Sequence, residues 1–288
     1  GLYNHIINGA PDWVYEEEFG FAQGFFWSPD SKKIAYYKFD ESKVREFEME
    51  EFGGLYPDWY SFKYPKAGED NSIVSVMVYN VESGKTIMMN TGEETDIYLP
   101  RMKWTNDANI LAIQRLNRHQ NHLEILAANA ETGETTVFYD EENPYYIDIT
   151  DDWEFLKDGK RFIMTSEKSG YNHIYICSLN GQECKPLTSG EWDVTKIYGF
   201  DGKEVYFQAA KNSPIERQSY AVNLKGQVRE IIGKEGTNNA RFNNNFKYLI
   251  NTNSTVTQPY QYALYNNQGK MVRMLEDNHE FVEIGRAH

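Results

Sequence analysis

The sequence predicts an all-β chain, a partial β-propeller of about five four-stranded blades. Three observations predict it. Aromatic side chains make up 15% of the 288 residues, with 21 Tyr and 16 Phe, a composition that suits strands better than a helical bundle. No segment sustains a helical hydrophobic period beyond about three turns; short alternating or apolar runs recur between turn dipeptides instead. Two interleaved series of turns also repeat along the chain. The first places a glycine at Gly84, Gly133, Gly181, Gly226 and Gly269, at spacings of 49, 48, 45 and 43 residues. A unit of about 40–50 residues that holds two hairpins is one propeller blade. A β-sandwich with regular hairpins is the competing architecture.

The first blade, residues 1–90, carries the turn Ser28-Pro-Asp-Ser, the strand run Ile34-Ala-Tyr-Tyr and the turn from Asn80 to Gly84. Between its two strand pairs lies an acidic, aromatic insert, residues 39–71, with Glu46-Phe-Glu-Met-Glu-Glu-Phe and Tyr56-Pro-Asp-Trp-Tyr. From the residues alone it reads equally as an interaction arm or a surface loop. The second blade, 91–140, has Thr105-Asn-Asp-Ala, then Ile110-Leu-Ala-Ile, then the Gly133 turn. The third, 141–190, has Lys157-Asp-Gly-Lys, Arg161-Phe-Ile-Met and Asn180-Gly181. The fourth, 191–233, has Phe200-Asp-Gly-Lys, Glu204-Val-Tyr-Phe and Gly226. The fifth, 234–275, has Asn243-Asn-Asn, Lys247-Tyr-Leu-Ile and Gly269, and residues 276–288 form a tail outside the repeat.

Composition narrows the function. Against 29 Lys and Arg stand 43 Asp and Glu, a net charge of −14. Nucleic acid and anionic membrane are poor partners for such a chain, and an amine-bearing ligand is a better one. No stretch approaches the 18 or so apolar residues of a spanning helix, so no membrane span is expected. The chain opens at Gly1 without Met or leader, which suggests a fragment or processed chain. There is no Gly-x-Ser-x-Gly, no His-Glu-x-x-His and no phosphate-cradling glycine loop, so no catalytic residue, metal or cofactor is expected here. Two cysteines make neither a disulfide scaffold nor a Cys-based metal site. His119 and His122, in Arg118-His-Gln-Asn-His, are candidate metal ligands. A hairpin turn exposing two solvated imidazoles is the simpler reading of that stretch.

The run Asp12-Trp-Val-Tyr-Glu-Glu-Glu-Phe stands out. Three consecutive Glu form, on the plainest reading, a solvated acidic stretch. Their neighbours Trp13, Tyr15, Phe19 and Phe21 instead lead us to expect partial burial. Asp12 after Pro11 is suited to N-cap a short helical turn. On a strand, adjacent carboxylates point to opposite faces, whereas on a helical turn they diverge by only about 100° and two can converge on one cation. Packed carboxylates repel, and a substrate ammonium would relieve that through charge-assisted hydrogen bonds.

These residues, with Phe26-Trp-Ser-Pro-Asp-Ser-Lys-Lys-Ile-Ala-Tyr, Tyr64-Pro-Lys-Ala-Gly, Gly170-Tyr-Asn-His-Ile, Leu187-Thr-Ser-Gly-Glu-Trp-Asp-Val and Leu275-Glu-Asp-Asn, resemble the N-terminal β-propeller of the dipeptidyl peptidase IV family. That family comprises serine exopeptidases of the prolyl oligopeptidase clan. The resemblance implies that Glu17 and Glu18 bind the free α-amino group of a peptide, so that X-Pro or X-Ala dipeptides are released. It does not extend to Glu16 as a ligand. It implies eight blades, of which about three would precede Gly1, and an α/β-hydrolase domain with Ser, Asp and His following this chain. A chain without that domain is expected to be inactive. The 39–71 insert matches the family's arm for homodimer contacts, and the tail at Arg286-Ala-His matches nothing in it. The family works outside the cytoplasm, which favours a disulfide between Cys177 and Cys184. A type I′ turn at Asn180-Gly181 would set those two residues opposite each other.

Five blades at an eight-blade rotation would cover about 225°, so an arc with exposed apolar end faces is expected. Two alternatives remain open at this point: a complete five-bladed propeller glycoside hydrolase, and a binding-only propeller whose Glu run is decoration.

Overall fold

The computed structural model describes residues 4–286. The chain divides into two compact units, which part between Asp151 and Asp152. The first contains β1 (Ile6–Asn8), α1 (Trp13–Glu17), β2 (Phe25–Trp27), β3 (Lys33–Asp40), β4 (Glu46–Glu51), β5 (Asp58–Lys63), β6 (Ile73–Asn80) and β7 (Thr86–Met88). These are followed by β8 (Ile97–Tyr98), β9 (Met102–Trp104), β10 (Ile110–Asn117), β11 (His122–Asn129) and β12 (Thr135–Glu142).

One antiparallel sheet of this unit runs β1–β3–β6–β7, with β2 also on β3; the other runs β12–β11–β10–β8, with β9 also on β10. Both therefore hold five strands where four are expected, because the edge strand is interrupted. β1 pairs with Lys38–Asp40 and β2 with Ile34–Tyr36 on the same strand. Between them the chain leaves at Gly9 and returns at Gly24, whose N–H donates to the Gly9 carbonyl at 3.0 Å. Tyr37 stitches both ends of the break: its carbonyl accepts from Gly9 N–H and its N–H donates to the Gly24 carbonyl, each at 2.9 Å. β8 and β9 are separated by a shorter excursion, residues 99–101.

Strand β3 shows why these runs become half-buried strands. Lys33, Ala35, Tyr37 and Phe39 are buried while the residues between them are half-buried, the period-2 alternation of a sheet with one inward face. Tyr37, Phe39, Val76, Val78, Leu111, Ile113 and Leu116 make one continuous core with Tyr15 and Leu99.

The second unit contains three four-stranded antiparallel sheets, each in chain order. The first is β13 (Trp153–Phe155), β14 (Arg161–Ser166), β15 (His173–Ser178) and β16 (Cys184–Pro186). The second is β17 (Val194–Phe200), β18 (Glu204–Ala209), β19 (Gln218–Asn223) and β20 (Val228–Ile232). The third is β21 (Thr237–Phe242), β22 (Tyr248–Thr255), β23 (Gln258–Asn266) and β24 (Met271–Glu276), followed by α2 (His279–Arg286). Ala287 and His288, the end of the tail, lie outside the described residues. Ile163, Ile174, Phe207 and Val222 belong to one core, and Tyr206, Ala221, Ile231 and Leu249 to another.

Two glycines of the series have a packing reason. At Gly133 (φ +79°) a Cβ would stand 2.4 Å from the carbonyl oxygen of Met88, on the last strand of the preceding sheet. At Gly269 (φ +79°) it would stand 2.2 Å from the carbonyl oxygen of Ile231, likewise on the preceding sheet's last strand. The second turn series is held by side-chain caps. Asp158 Oδ1 accepts from Lys160 N–H at 2.9 Å, and Asp201 Oδ1 from Lys203 N–H at 2.8 Å, the Asx geometry that starts a hairpin.

Candidate functional site

Residues 10–23 fill the interruption between β1 and β2 and carry α1. Asp12 caps the helix as its type predicts: Oδ1 accepts from Tyr15 N–H at 2.9 Å. Its other oxygen accepts from the Ser72 hydroxyl at 2.6 Å, and the residue is 5% exposed. Burial pushes the Asp12 carboxyl above its ordinary range, partly offset by the bond from Ser72. At the other end Glu18 N–H donates to the Val14 carbonyl at 2.8 Å, with Glu18 still in helical backbone conformation.

Tyr15 is the pivot of the helix. It is 2% exposed and its ring meets Phe19, Phe21, Phe39 and Tyr98 at centroid distances of 4.9 to 6.2 Å. Its hydroxyl oxygen accepts from the Leu99 N–H at 2.8 Å. Leu99 lies in the break between β8 and β9, where its amide is directed to Tyr15. Burial holds the phenol well above its usual titration range, so it stays neutral. On the opposite flank Trp13 packs edge-on against Tyr64, 4.2 Å between centroids.

With Val14, Tyr15 and Phe19 buried, Glu16, Glu17 and Glu18 are left exposed. The expected partial burial of the Glu run is therefore not met. The aromatic neighbours bury themselves beneath the helix and leave the carboxylates in water. Successive helical positions still fan the carboxylates by about 100° each, so neighbours can share one cation. Tyr146, whose hydroxyl donates to Gln120 Oε1 at 3.1 Å, feels the charge of Glu18. Burial first, then Asp148 and Glu18, push its phenol up.

The insert forms a hairpin, β4 on β5, with two chemically distinct faces. One face pairs Phe47 with Phe62 and Met49 with Tyr60 and ends at Glu51 opposite Asp58; the other sets Glu46, Glu48 and Glu50 opposite Lys63, Ser61 and Trp59. At its base Tyr64 contacts Phe47 and Phe62 as well as Trp13. The tip exposes Phe52, Leu55 and Tyr56.

His119 and His122 are not brought together as ligands. His122 Nε2 lies 3.0 Å from Asp140 Oδ2, a contact that raises the imidazole's pKa. His122, Glu124 and Asp140 offer ligand atoms within 4.8 Å of one another. Arg115 already holds Glu124 Oε2 through Nε and Nη2, so the group is an ion-pair network across the sheet. Cys177 and Cys184 are paired across β15 and β16 and joined as a disulfide. The connecting turn differs from the type I′ expected. Gly181 has positive φ but Asn180 does not, and Gly181 N–H closes back on the Ser178 carbonyl, the longer loop built on a type I turn. Ser178 N–H still donates to the Glu183 carbonyl at 2.8 Å, so the register reaching the cysteines is unchanged.

Sequence reasoning found α1 and its cap but missed Ser72 and Leu99, and it singled out Tyr64 only as part of a stretch, Tyr64-Pro-Lys-Ala-Gly, that resembles the family.

The four- and five-stranded sheets are blades of a β-propeller, and the comparisons with known proteins say which. The family model for the dipeptidyl peptidase IV (DPP IV) N-terminal region matches residues 1–260, and the chain belongs to that family. Among solved structures, dipeptidyl peptidase 4 of Porphyromonas gingivalis is similar, with a TM-score of 0.92 and 39% identity over 99% of this chain and 41% of that one. A "Probable dipeptidyl peptidase 4" of Aspergillus flavus is 28% identical over 96% of this chain and 39% of its own length. A "Probable dipeptidyl-aminopeptidase B" of Botryotinia fuckeliana is 26% identical over 97% of this chain and 34% of its own. The chain thus spans about two fifths of the proteins it matches. Among the described residues, no helix is long and apolar enough to cross a membrane.

Proposed function

We propose that this chain is the non-catalytic, substrate-gating part of a dipeptidyl peptidase IV-like serine exopeptidase. In this reading Glu17 and Glu18 bind the free α-amino group of a peptide. A hydrolase domain elsewhere in the same polypeptide supplies Ser, Asp and His and releases X-Pro or X-Ala dipeptides. The observation that carries it is the construction of α1: every buried side chain of the helix is tied down, and what it presents to solvent is a row of carboxylates. A carboxylate pair at a fixed distance from a nucleophile works as a ruler, because only a dipeptide spans the gap, and its grip on the ammonium orients the scissile bond. Family membership favours this over the glycoside hydrolase reading.

Two further parts belong to the proposal. The patch of Phe47, Phe62, Met49 and Tyr60 on the β4–β5 hairpin is suited to contact a second copy of the protein. The Cys177–Cys184 bond supports an oxidising compartment outside the cytoplasm.

The test is made on the full-length enzyme with Gly-Pro and Ala-Pro chromogenic dipeptides. Glu17→Ala and Glu18→Ala each delete a charge-assisted contact of about 1.5–3 kcal/mol, so kcat/KM should fall roughly 10- to 150-fold. Near-normal kcat/KM in either variant would sink the anchor assignment.

A further inference from the structure

The contacts that fix α1 single out a buried residue at its start. We propose that Asp12 is the positioning residue of the amine anchor, setting the placement of Glu17 and Glu18 through its two carboxylate oxygens. The inference rests on the anchor reading above and goes beyond it by naming what holds the anchor still.

At five residues α1 is far below the ~12–15 at which an isolated helix becomes even marginal. Its existence and direction are therefore imposed by tertiary contacts. The Tyr15 hydroxyl and the Trp13 ring hold its flanks, to Leu99 and Tyr64 respectively. Asp12 caps its first turn and ties it by a hydrogen bond to the chain entering β6. One oxygen takes the Tyr15 amide at 2.9 Å and the other takes the Ser72 hydroxyl at 2.6 Å. The Asp12 backbone carbonyl in turn accepts from Glu16 N–H at 3.1 Å. Ser72 is buried, immediately ahead of β6, where the chain returns from the β4–β5 hairpin. One carboxylate thus joins the helix start to the central part of its own sheet. With Asp12 removed, the helix keeps its side-chain flanks but loses the bond that sets its tilt. The exposed glutamates at its far end move most, and misplacement of about 1 Å at an anchoring group can cost about a hundredfold in rate.

The experiment uses the full-length enzyme, with Asp12→Ala, Asp12→Asn, Ser72→Ala and Glu17→Ala assayed side by side. Two readouts are taken: kcat and KM for an Ala-Pro chromogenic dipeptide, and the rate of inactivation by phenylmethanesulfonyl fluoride. That reagent modifies the nucleophilic serine and carries no ammonium. Asp12→Ala should lower kcat/KM about tenfold, carried by KM, with the sulfonylation rate within about twofold of wild type. Asp12→Asn should recover to within about twofold, since its amide oxygen can still cap Tyr15 and its NH2 can donate to the Ser72 oxygen. Ser72→Ala should fall between the two. The proposal is overturned if Asp12→Ala keeps wild-type kcat/KM while Glu17→Ala loses it. It is equally overturned if Asp12→Asn does no better than Asp12→Ala, or if sulfonylation falls in parallel with kcat/KM. If Glu17→Ala also keeps wild-type kcat/KM, the anchor reading fails and takes this inference with it.

Discussion

Gly84 and Gly133 form a matched pair built into the same unit. Each closes an Asn-x-x-x-Gly turn, with its N–H donating to the carbonyl of Asn80 or Asn129 at 2.9 and 2.8 Å. In each turn the Asn side chain accepts from the next amides. Both have left-handed φ, +68° and +79°. They differ in the space above Cα. A Cβ at Gly84 meets nothing closer than the Tyr79 hydroxyl at 4.0 Å, whereas at Gly133 it meets the Met88 carbonyl oxygen at 2.4 Å. Alanine at Gly84 therefore incurs only the left-handed penalty, about 1–2 kcal/mol. Alanine at Gly133 adds an overpacking cost of about 1–3 kcal/mol, because the blocking atom is backbone and cannot swing away. It also presses on the Gly133 carbonyl, which accepts from Asn90 N–H at 2.8 Å. Equilibrium urea unfolding of the chain, followed by tryptophan fluorescence, should show Gly133→Ala less stable than Gly84→Ala by about 1–3 kcal/mol. Equal midpoints for the two variants would refute backbone contact between neighbouring sheets as the reason for glycine at position 133.

Two other outcomes are expected. Thiol titration of the denatured, unreduced protein should find no free sulfhydryl at Cys177 or Cys184, and two free thiols would remove the support for an oxidising compartment. Full-length protein should sediment as a dimer at micromolar concentration and shift towards monomer when Met49 and Tyr60 are both replaced by Glu, since each places a charge in the apolar patch with Phe47 and Phe62; an unshifted dimer would clear that patch of the role.

The blades were legible because their signals are local. Asx caps, turn glycines and alternating apolar residues each act within a few positions, and Asp12 is read as an N-cap on the same grounds. What supports the site was not legible. The Tyr15–Leu99 bond spans 84 residues of sequence and the Asp12–Ser72 bond 60, and nothing in either neighbourhood marks them. The exposure of Glu16 to Glu18 was misread for a related reason. Aromatic neighbours predict burial of a segment, but on one helical turn they take the inward positions and leave the others in water. The five-stranded count in the first two sheets follows from interruptions whose two halves pair with one strand, a tertiary fact that a turn-by-turn reading merges into one.

The interruption between β1 and β2 has a consequence for how an edge strand can carry a helix. Gly9 and Gly24 are hydrogen-bonded to each other and both to Tyr37, so the ladder is already closed beneath residues 10–23. The sheet would read as continuous whether or not those residues were present. The segment that carries α1 thus interrupts the edge strand without breaking its hydrogen-bond ladder. In the proposed reading, such an interruption lets an edge strand carry an anchor for an amine while the ladder on either side stays closed, and Val14, Tyr15 and Phe19 tie the inserted segment into the core.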